Sequence, residues 1–226
     1  MKVSVIIPVL NEEATVRVGL ALLQPLRDAG HEVIVVDGGS EDNTEAEAAG
    51  LCDQWLVSAR RRARQMNAGA ARARGNLLVF LHADTRLPHD TLHHFERFMD
   101  SGKAWGRFDV RLSGHQILFR VVGGMMNWRS RVSGICTGDQ VQFVRREVFE
   151  DLGGFADIDL MEDIDLSRRL KSWSRPYCIS SRVITDSRRW EIHGPWRTIL
   201  FMWRLRWAYW RGVSAGELAS QYHRHD

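Results

Sequence analysis

Residues 3–13 read VSVIIPVLNEE, and this stretch decides the interpretation of the fold. Its first seven residues are mostly apolar and β-branched, which is typical of a strand buried on both faces. Further runs of this kind follow at residues 32–36 and 77–81, and segments with helical spacing, such as residues 12–29, lie between them. The first hundred residues therefore predict a parallel sheet with helical crossovers.

Polar residues come directly after these predicted strands. Asn11 follows the first strand, Asp37 follows the second, and Asp84 follows the run that ends at residue 81. Because ligands of open α/β sheets bind outside the carboxyl ends of the strands, we expect these three side chains to gather on one rim of the sheet.

Asp84, in HADT (82–85), could hold Mg²⁺ or Mn²⁺ beside a phosphate-bearing ligand. Such a cation binds through one or two carboxylates plus diphosphate oxygens, and it neutralises charge on a departing diphosphate. The alternative is that Asp84 caps the helix that Pro88 is predicted to open.

Asp37, in DGGS (37–40), could accept hydrogen bonds from a base N–H or from a ribose hydroxyl. The glycines at 38 and 39 let the chain turn sharply and approach a ligand closely. The alternative is that Asp37 is a local cap within a turn.

Glu162 and Asp163 stand in LMEDIDL (160–166), just ahead of a predicted helix. The apolar flanking residues imply partial burial, which raises the pKa of a carboxyl group toward a value useful in a general base. The alternative is that these acids cap the helix and interact favourably with its dipole, as we expect of Asp165.

Composition limits the class of protein. The chain has 226 residues, 44% hydrophobic and 26% charged, which is enough for one globular domain with a full core. The net charge is only +3, and nearly all cations are Arg, which suits phosphate recognition or simply reflects the codon preference of a GC-rich genome. The three cysteines are far apart and odd in number, so we expect neither a disulfide framework nor a cysteine metal site, and a reducing compartment.

Residues 196–211 contain four tryptophans interleaved with arginines. Such a segment suits a membrane interface; the alternatives are packing over its own domain or a homodimer contact. Nucleic acid is not an expected partner, because the net charge is small and no reading motif is present. With neither a signal-peptide core nor a spanning apolar run, we expect a cytoplasmic protein, at the inner face of the cell membrane if this segment meets lipid.

Together these segments resemble the family 2 glycosyltransferases. The matching elements come in the family's order: PVLNEE (8–13), VVDGGS (35–40), RQMNAGA (64–70), FLHAD (80–84), GGF (153–155) and EDIDL (162–166). The resemblance implies an α/β fold of the GT-A (Rossmann-like) type. This is a mixed, mainly parallel sheet flanked by helices, here with a C-terminal aromatic and Arg-rich helical segment.

The resemblance also implies one domain spanning residues 1–226. Residues 1–100 would be its nucleotide-sugar-binding half, residues 101–190 its acceptor and catalytic half, and residues 191–226 the C-terminal helical segment. A more specific likeness, carried by RQMNAGA, LHADT (81–85) and TGDQ (137–140), is to small bacterial members found beside radical-SAM and selenium-related genes.

Carried over position by position, the resemblance implies a nucleotide site made by Pro8, Asn11, Glu12, Asp37, Gly39, Arg64, His82 and Ala83. Arg189, in RRW (188–190), which resembles only the last part of a family signature, could pair with the diphosphate; the alternative is a solvated side chain. Asp84 would bind the metal, Mn²⁺ or Mg²⁺, and Asp163, with Glu162 beside it, would be the catalytic base. Asp139 and Gln140 would bind the acceptor; the alternative for Asp139 is a turn before the next strand. His82 replaces the first acid of the family's metal motif, and because hard cations prefer oxygen it would then contact only the nucleotide sugar.

The implied activity is an inverting transfer of a sugar from a nucleoside-diphosphate sugar, usually UDP-linked, to an acceptor hydroxyl; a lipid-linked acceptor would fit the C-terminal tryptophans. Two alternatives stay open: a sugar nucleotidyltransferase, and a non-catalytic nucleotide-sugar-binding or membrane-associated module. The first needs a Gly-rich, basic entry loop, which residues 8–13 do not provide. The Glu162–Asp163 pair disfavours the second, whereas His82 keeps it open.

Overall fold

Eight strands form one mixed sheet in the computed structural model, which describes residues 1–114 and 116–224 apart from the side chains of Arg189, His193 and His223. The strands are β1 (Val3–Val9), β2 (Glu32–Asp37), β3 (Gln54–Val57), β4 (Leu77–Phe80), β5 (Thr85–Arg86), β6 (Trp105–Leu112), β7 (Gln142–Arg145) and β8 (Tyr177–Thr185). Their order across the sheet is β3-β2-β1-β4-β7-β6-β8-β5.

Helices cover the sheet and also form the segment that follows the last strand. They are α1 (Val16–Ala21), α2 (Gln24–Asp28), α3 (Thr44–Ala48), α4 (Arg62–Arg72), α5 (Thr91–Asp100), α6 (Ile117–Ser133), α7 (Arg146–Asp151), α8 (Glu162–Leu170), α9 (Arg188–His193), α10 (Pro195–Trp210) and α11 (Ala215–His223). A short 3-10 helix, Gly138–Gln140, precedes β7.

The sheet has a parallel part and a mixed part. Strands β3, β2, β1 and β4 pair in parallel, as the sequence predicts for the first hundred residues. Strand β7 then runs antiparallel to both β4 and β6, β8 runs parallel to β6, and β5 closes the edge antiparallel to β8. The predicted α/β fold with a mixed, mainly parallel sheet is therefore confirmed, and it is a GT-A fold.

The central strands β1 and β2 are buried on both faces. Every residue of β2 is buried, and alternate side chains of β1 enter different core clusters: Val5 and Ile7 point to one face and Ile6 to the other. Strands that bury both faces are apolar without alternation, which is why these two segments stand out in the sequence.

The predicted helix at residues 12–29 is instead two short helices, α1 and α2. Pro25 lies in the first turn of α2, where its missing N–H costs little. In one continuous helix, Pro25 would break the hydrogen bond to the carbonyl group of Ala21, so the chain ends α1 and starts again.

Helix α6, which the sequence left open between helix and loop, is fixed to β6 by buried polar groups. The side-chain amide of Asn127 accepts the N–H of Val110 at 2.8 Å and donates to its carbonyl oxygen at 3.0 Å. The fully buried guanidinium of Arg107 donates to Asp109 and to the backbone carbonyl of Asn127, and Arg131 contacts the second oxygen of Asp109 at 2.8 Å. Strand β6 and α6 therefore share one polar network inside the core.

The C-terminal helices pack on their own domain. Leu205 of α10 and Leu218 of α11 are fully buried and form a small cluster with Met161 at the start of α8. The opposite side of α10 carries an exposed apolar stripe: Trp196, Leu200, Trp203, Trp207 and Trp210. Contact of that stripe with a membrane or a second copy stays a prediction.

No helix within residues 1–114 and 116–224 is both long and apolar enough to cross a bilayer.

Candidate active site

The loops that follow β1 and β2 are fastened to each other at the carboxyl ends of these strands. Asp37 is the last residue of β2, and its carboxylate accepts the N–H of Ser40 at 3.0 Å and its hydroxyl at 2.6 Å. The N–H of Asn11 donates to that same hydroxyl oxygen at 2.9 Å, and its side-chain oxygen accepts the N–H of Glu41 at 2.9 Å. Gly39 has a φ of +90°, a conformation that glycine adopts readily.

Gln65 of α4 holds the same two strand ends together from below. Its buried amide nitrogen donates to the carbonyl oxygens of Val9 and Val36, each at 2.8 Å. A Cβ atom on Gly38 would stand 3.1 Å from this amide, so glycine leaves room for it. Sequence reasoning did not single out Gln65, because one glutamine in a helix carries no signal of its own.

Most of the predicted nucleotide residues lie at this end of the sheet. Pro8 pairs with Val36 in the parallel register, and Glu12 donates its N–H to the Thr44 hydroxyl at 2.8 Å while its carboxylate accepts the Thr15 hydroxyl at 2.6 Å. With Asn11, Asp37 and Gly39, they form the group that we call the donor loops, after the binding role that the sequence predicts for them.

Arg64 is placed differently. Its guanidinium makes two 2.8 Å hydrogen bonds to Asp157, and both side chains are about half exposed. A contact between Arg64 and a nucleotide stays a prediction, as does one from Arg189, whose side chain lies outside the described part of the chain.

A cavity of about 350 Å³ contains Asp84 and Asp139, whereas Glu162 and Asp163 are not among the residues that line it. His82 and Asp84 enter it just after β4, which pairs in parallel with β1, the strand that leads into one of the donor loops. Its polar lining is His82, Asp84, Asp139, Thr185, Asp186, Thr198 and the three arginines Arg62, Arg129 and Arg206. Its apolar lining comes chiefly from α6 and α10, including Met125, Met126, Trp128, Met202 and Trp203. We call the polar lining the floor of the cavity and the apolar lining its wall, so the cavity combines a charged floor with an apolar wall.

His82 forms part of the floor as a neutral ring. Burial, and then the nearby charge of Arg62, lower the pKa of His82 well below its usual value. Its Nδ1 atom is 3.8 Å from the Asp139 carboxylate, too far for a hydrogen bond. A Cβ atom on Gly138 would stand 2.3 Å from Nε2 of His82, so the ring packs directly against that glycine. Ala83 lies behind the floor, and its carbonyl oxygen is in close contact with α1 at Gly19.

Asp84 and Asp139 bring like charges together. Desolvation raises the pKa of Asp84, opposed by a 3.1 Å hydrogen bond from Thr85 and by Arg62. Desolvation also raises the pKa of Asp139, and the charges of Asp84 and Asp163 raise it further. A cation between these carboxylates would relieve that repulsion.

A divalent cation fits this pair of carboxylates. The described residues contain no group of three or more His, Cys, Asp or Glu side chains set to hold a metal. Mg²⁺ at a nucleotide site needs fewer protein ligands, since one or two carboxylates are completed by diphosphate oxygens and water. Asp84 and Asp139 supply that number of carboxylates, and a cation bound by them stays a prediction.

Asp163 joins α8 to the 3-10 helix at the cavity floor. One carboxylate oxygen accepts the N–H of Gly138 at 2.8 Å, and the other accepts the N–H of Ile164 at 2.7 Å. Met161, just before α8, has a left-handed backbone with φ of 70°. Gln140 is fully buried and bonds Asn127 at 3.3 Å, so it does not line the cavity, and its contact with an acceptor stays a prediction.

Glu162 is buried next to Asp163. Burial, and then the charge of Asp163, raise the pKa of Glu162 to about 7, although Arg62 acts in the opposite direction. The carboxyl group is therefore partly protonated near neutral pH, unlike an exposed glutamate.

We expect Glu162→Gln to stabilise the protein at pH 8 but hardly at pH 4.5. The pKa of Glu162 is about 7 in the folded state and about 4.5 in the unfolded state, so the folded state binds the proton more tightly. The free energy of unfolding of the wild-type protein therefore falls as the pH rises from about 4.5 to above 7. Gln cannot ionise, and the gain at pH 8 should be about 1–3 kcal/mol. Urea unfolding of Glu162→Gln and of the wild-type protein at pH 4.5 and pH 8 measures this gain. Glu150→Gln, at a mostly exposed site, is the matched control, and equal pH dependence in both variants would contradict the assignment.

The fold and these two adjoining sites define the nucleotide-sugar transferase architecture, in which donor loops and an acidic floor share one rim of the sheet. The chain belongs to glycosyl transferase family 2, whose family model matches residues 4–153. The match includes the donor loops and Asp84 but ends before Glu162 and Asp163. No curated protein sequence matches this chain.

Three solved structures illustrate the likeness. S. aureus TarS 1–349 in complex with UDP-GlcNAc superposes with a TM-score of 0.64 and 18% identity, over 82% of this chain and 58% of that chain. Mannosyltransferase PcManGT from Pyrobaculum calidifontis, with GDP-Man and Mn²⁺, gives 0.60 and 23%, over 80% and 56%. Glucosyl-3-phosphoglycerate synthase from Mycobacterium tuberculosis, with Mn²⁺, UDP and glucosyl-3-phosphoglycerate, gives 0.61 and 18%, over 81% and 70%.

At these identities the likeness shows the fold. This chain spans less than two thirds of the TarS and PcManGT chains that it matches. Membership of the radical-SAM-associated subgroup stays a prediction.

Proposed function

We propose that this protein is an inverting glycosyltransferase that moves a sugar from a UDP-sugar to a hydroxyl group of an acceptor. The observation that carries the proposal is the arrangement at the carboxyl ends of β1 and β4, which pair in parallel. Strand β1 leads into a donor loop, and β4 leads into His82 and Asp84, which line the cavity together with Asp139. Transfer needs this arrangement, because the leaving diphosphate and the attacking acceptor must meet at one anomeric carbon.

Residues 1–100 would bind the donor. The base would lie over the donor loops, with Asp37 accepting hydrogen bonds from it and Asn11 and Glu12 shaping the pocket. UDP is the nucleotide that we favour, because the TarS and M. tuberculosis structures contain UDP or UDP-GlcNAc. The PcManGT structure contains GDP-Man, so a GDP-sugar is the alternative donor to be tested.

Asp84 would hold Mn²⁺ or Mg²⁺, and Asp139, which lines the same cavity and feels the charge of Asp84, would be a second ligand in place of the acceptor contact that the sequence predicts for it. Two of the similar structures contain Mn²⁺, which supports this assignment. When bound, the cation would supply positive charge to the leaving diphosphate. Arg62 lines the same part of the cavity, and its guanidinium would add charge-assisted hydrogen bonds to that diphosphate.

Asp163 would act as the base in a single displacement. Its carboxylate takes the proton of the acceptor hydroxyl as the acceptor oxygen forms a bond to the anomeric carbon. The bond from that carbon to the diphosphate oxygen breaks, and the nucleoside diphosphate leaves with the bonding electrons. Attack from the face opposite the leaving group inverts the configuration of the sugar.

Incubation with a panel of UDP- and GDP-sugars and Mn²⁺, followed by an assay for free nucleoside diphosphate, tests the proposal. We expect UDP release with at least one UDP-sugar, because each transfer liberates one UDP. Release of pyrophosphate from a sugar phosphate and a nucleoside triphosphate would instead identify a nucleotidyltransferase. Binding of UDP-sugars without product, in the presence of a cell lipid extract as acceptor source, would identify a non-catalytic module.

A further inference from the structure

We infer that helices α6 and α10 together form a surface that docks on an anionic lipid membrane. We call this surface the α6–α10 face and define it by ten exposed apolar side chains: Ile117, Val121, Met125, Trp128 and Val132 of α6, and Trp196, Leu200, Trp203, Trp207 and Trp210 of α10. Docking would hold the protein at a membrane whether or not it transfers a sugar, so the two proposals can fail separately.

Exposed apolar side chains are concentrated on these two helices. Among the described residues, the α6–α10 face carries ten of the seventeen large apolar side chains that are exposed, and five of the six exposed tryptophans. Trp196 is 66% exposed and Trp210 is 79% exposed, so the domain itself covers little of these rings. A large exposed apolar patch marks a binding surface, and tryptophan is enriched where lipid meets water.

The two helices present their apolar stripes on the same side of the molecule. Met125 and Trp128 of α6 and Trp203 of α10 belong to the stripes and also line one cavity, which lies between the helices. Because an α-helix turns by about 100° per residue, the five apolar residues of each stripe fall within a sector of about 80°. The stripes therefore form two neighbouring apolar ridges, as expected of helices that lie in the plane of a membrane interface.

The outer border of the face is cationic on both helices. Arg197, Arg204 and Arg211 are exposed and recur every seven residues, so they form a row along the edge of the α10 stripe that faces away from the cavity-lining residues. Arg120 is exposed on the corresponding outer edge of α6. Residues 116–133 and 194–214 contain no Asp or Glu, so all the charge that these segments carry is positive.

This charge pattern favours an anionic membrane over a second copy of the chain. In a twofold dimer the α6–α10 face would meet itself, so its arginines would approach arginines, with no acid in either segment to pair with them. The headgroups of an anionic bilayer supply phosphate groups to the border arginines, while the lipid interior covers the apolar ridges. An anionic bilayer therefore matches both the apolar and the charged part of the face.

Co-sedimentation of the full chain with lipid vesicles tests the docking. Mixed vesicles contain equal parts of phosphatidylcholine and phosphatidylglycerol, and plain vesicles contain phosphatidylcholine alone. At low salt, we expect the protein to bind the mixed vesicles at least about tenfold more tightly than the plain ones. Raising the salt to about 0.5 M should weaken binding to the mixed vesicles by about tenfold or more, because salt screens exposed charges.

The apolar part of the face is tested with Trp207→Gln combined with Trp210→Gln. Both rings are exposed, and neither lines the cavity, so the substitutions leave the floor of the cavity as it is. We expect binding to the mixed vesicles to weaken by about tenfold or more, because two interfacial anchors are lost. Trp173→Gln, at an exposed tryptophan outside the α6–α10 face, is the matched control and should bind within about twofold of wild type.

The charged border is tested with Arg197→Gln combined with Arg204→Gln. We expect about tenfold weaker binding to the mixed vesicles at low salt, together with a smaller effect of salt, because two cations no longer meet the headgroups. The matched control is Arg72→Gln combined with Arg97→Gln, which removes two exposed arginines from α4 and α5 and should bind within about twofold of wild type.

Three outcomes would overturn the docking: no binding of wild type to the mixed vesicles, equal binding by the substituted proteins and their controls, or a dimer without vesicle binding. Sedimentation velocity detects that dimer, and its loss in Trp207→Gln with Trp210→Gln would assign the face to a second copy. If this variant does not fold, Ile117→Gln with Val121→Gln on α6 replaces it, with the same expected loss. A protein that binds the mixed vesicles but releases no nucleoside diphosphate would contradict only the proposed transferase.

Discussion

Asp163→Asn is expected to lower the turnover number by about a hundredfold or more, because the amide cannot take the proton of the acceptor hydroxyl. Asn keeps one oxygen that can accept the Gly138 N–H and loses only the local bond from the Ile164 N–H, so the loop at the cavity floor should stay in place. Affinity for UDP with Mn²⁺ should change little, since the donor loops lie elsewhere. Steady-state release of nucleoside diphosphate, with the Kd for UDP measured in parallel, provides both numbers.

Asp165→Asn is the matched control for this experiment. Asp165 lies two residues further along α8 and pairs with Arg169 at 2.8 Å, whereas Asp163 bonds Gly138 next to the cavity residue Asp139. Its replacement should leave turnover within a few-fold of wild type, as expected for an i,i+4 ion pair worth a few tenths of a kcal/mol. If Asp163→Asn turns over at the wild-type rate while Glu162→Gln is inactive, the base is Glu162 and the assignment of Asp163 is wrong.

Asp109→Ala is expected to lower the free energy of unfolding by about 3–5 kcal/mol, because it leaves the charge of Arg107 buried without a carboxylate. Arg107 is fully buried, and its remaining hydrogen bonds among the described residues go to the backbone carbonyls of Phe108 and Asn127, each at 3.1 Å. Urea unfolding at pH 7.5 measures the loss. The variant should also loosen α6, since Asn127 links that helix to the same strand.

The ion pair of Arg64 with Asp157, at the surface, supplies the contrast. Asp157→Ala breaks the two hydrogen bonds between Asp157 and Arg64. Both side chains are about half exposed, so the free energy of unfolding should fall by less than about 1 kcal/mol. Replacing Arg107 by Met together with Asp109 by Leu should recover most of the loss of Asp109→Ala, because no buried charge remains. Equal losses for Asp109→Ala and Asp157→Ala would show that burial of the Arg107 charge does not decide the outcome.

The parallel half of the sheet could be predicted because its signals are local. A buried strand such as β2 is a continuous apolar run, and the polar residue that follows it, Asp37, must lie at the ligand-binding rim. The acidic residues could be predicted because each stands at the boundary of an element with a local signal: Asp84 follows β4, and Glu162 and Asp163 open α8.

The arginines of the site could not be predicted in this way. Arg62 and Arg64 are two residues apart on α4, so they point to nearly opposite sides of the helix, and only Arg62 reaches the cavity. Arg129 and Arg206 meet because α6 and α10 meet, and an arginine in either helix looks like an ordinary solvated residue in the sequence. The pairing depends on tertiary structure, for which single-sequence patterns carry no signal.

The left-handed backbone of Met161 affects the order in which parts of the chain fold during synthesis. This conformation costs a non-glycine residue about 1 kcal/mol or more, and here it is stabilised by packing against Leu205 and Leu218. Those two leucines come after the Glu162–Asp163 pair in the chain and are therefore synthesised later, and domains generally form as units during synthesis. We expect a nascent chain to acquire its donor loops first and to position the Glu162–Asp163 pair only after α10 and α11 have docked, so that a chain without these two helices can recognise a nucleotide but cannot yet use it.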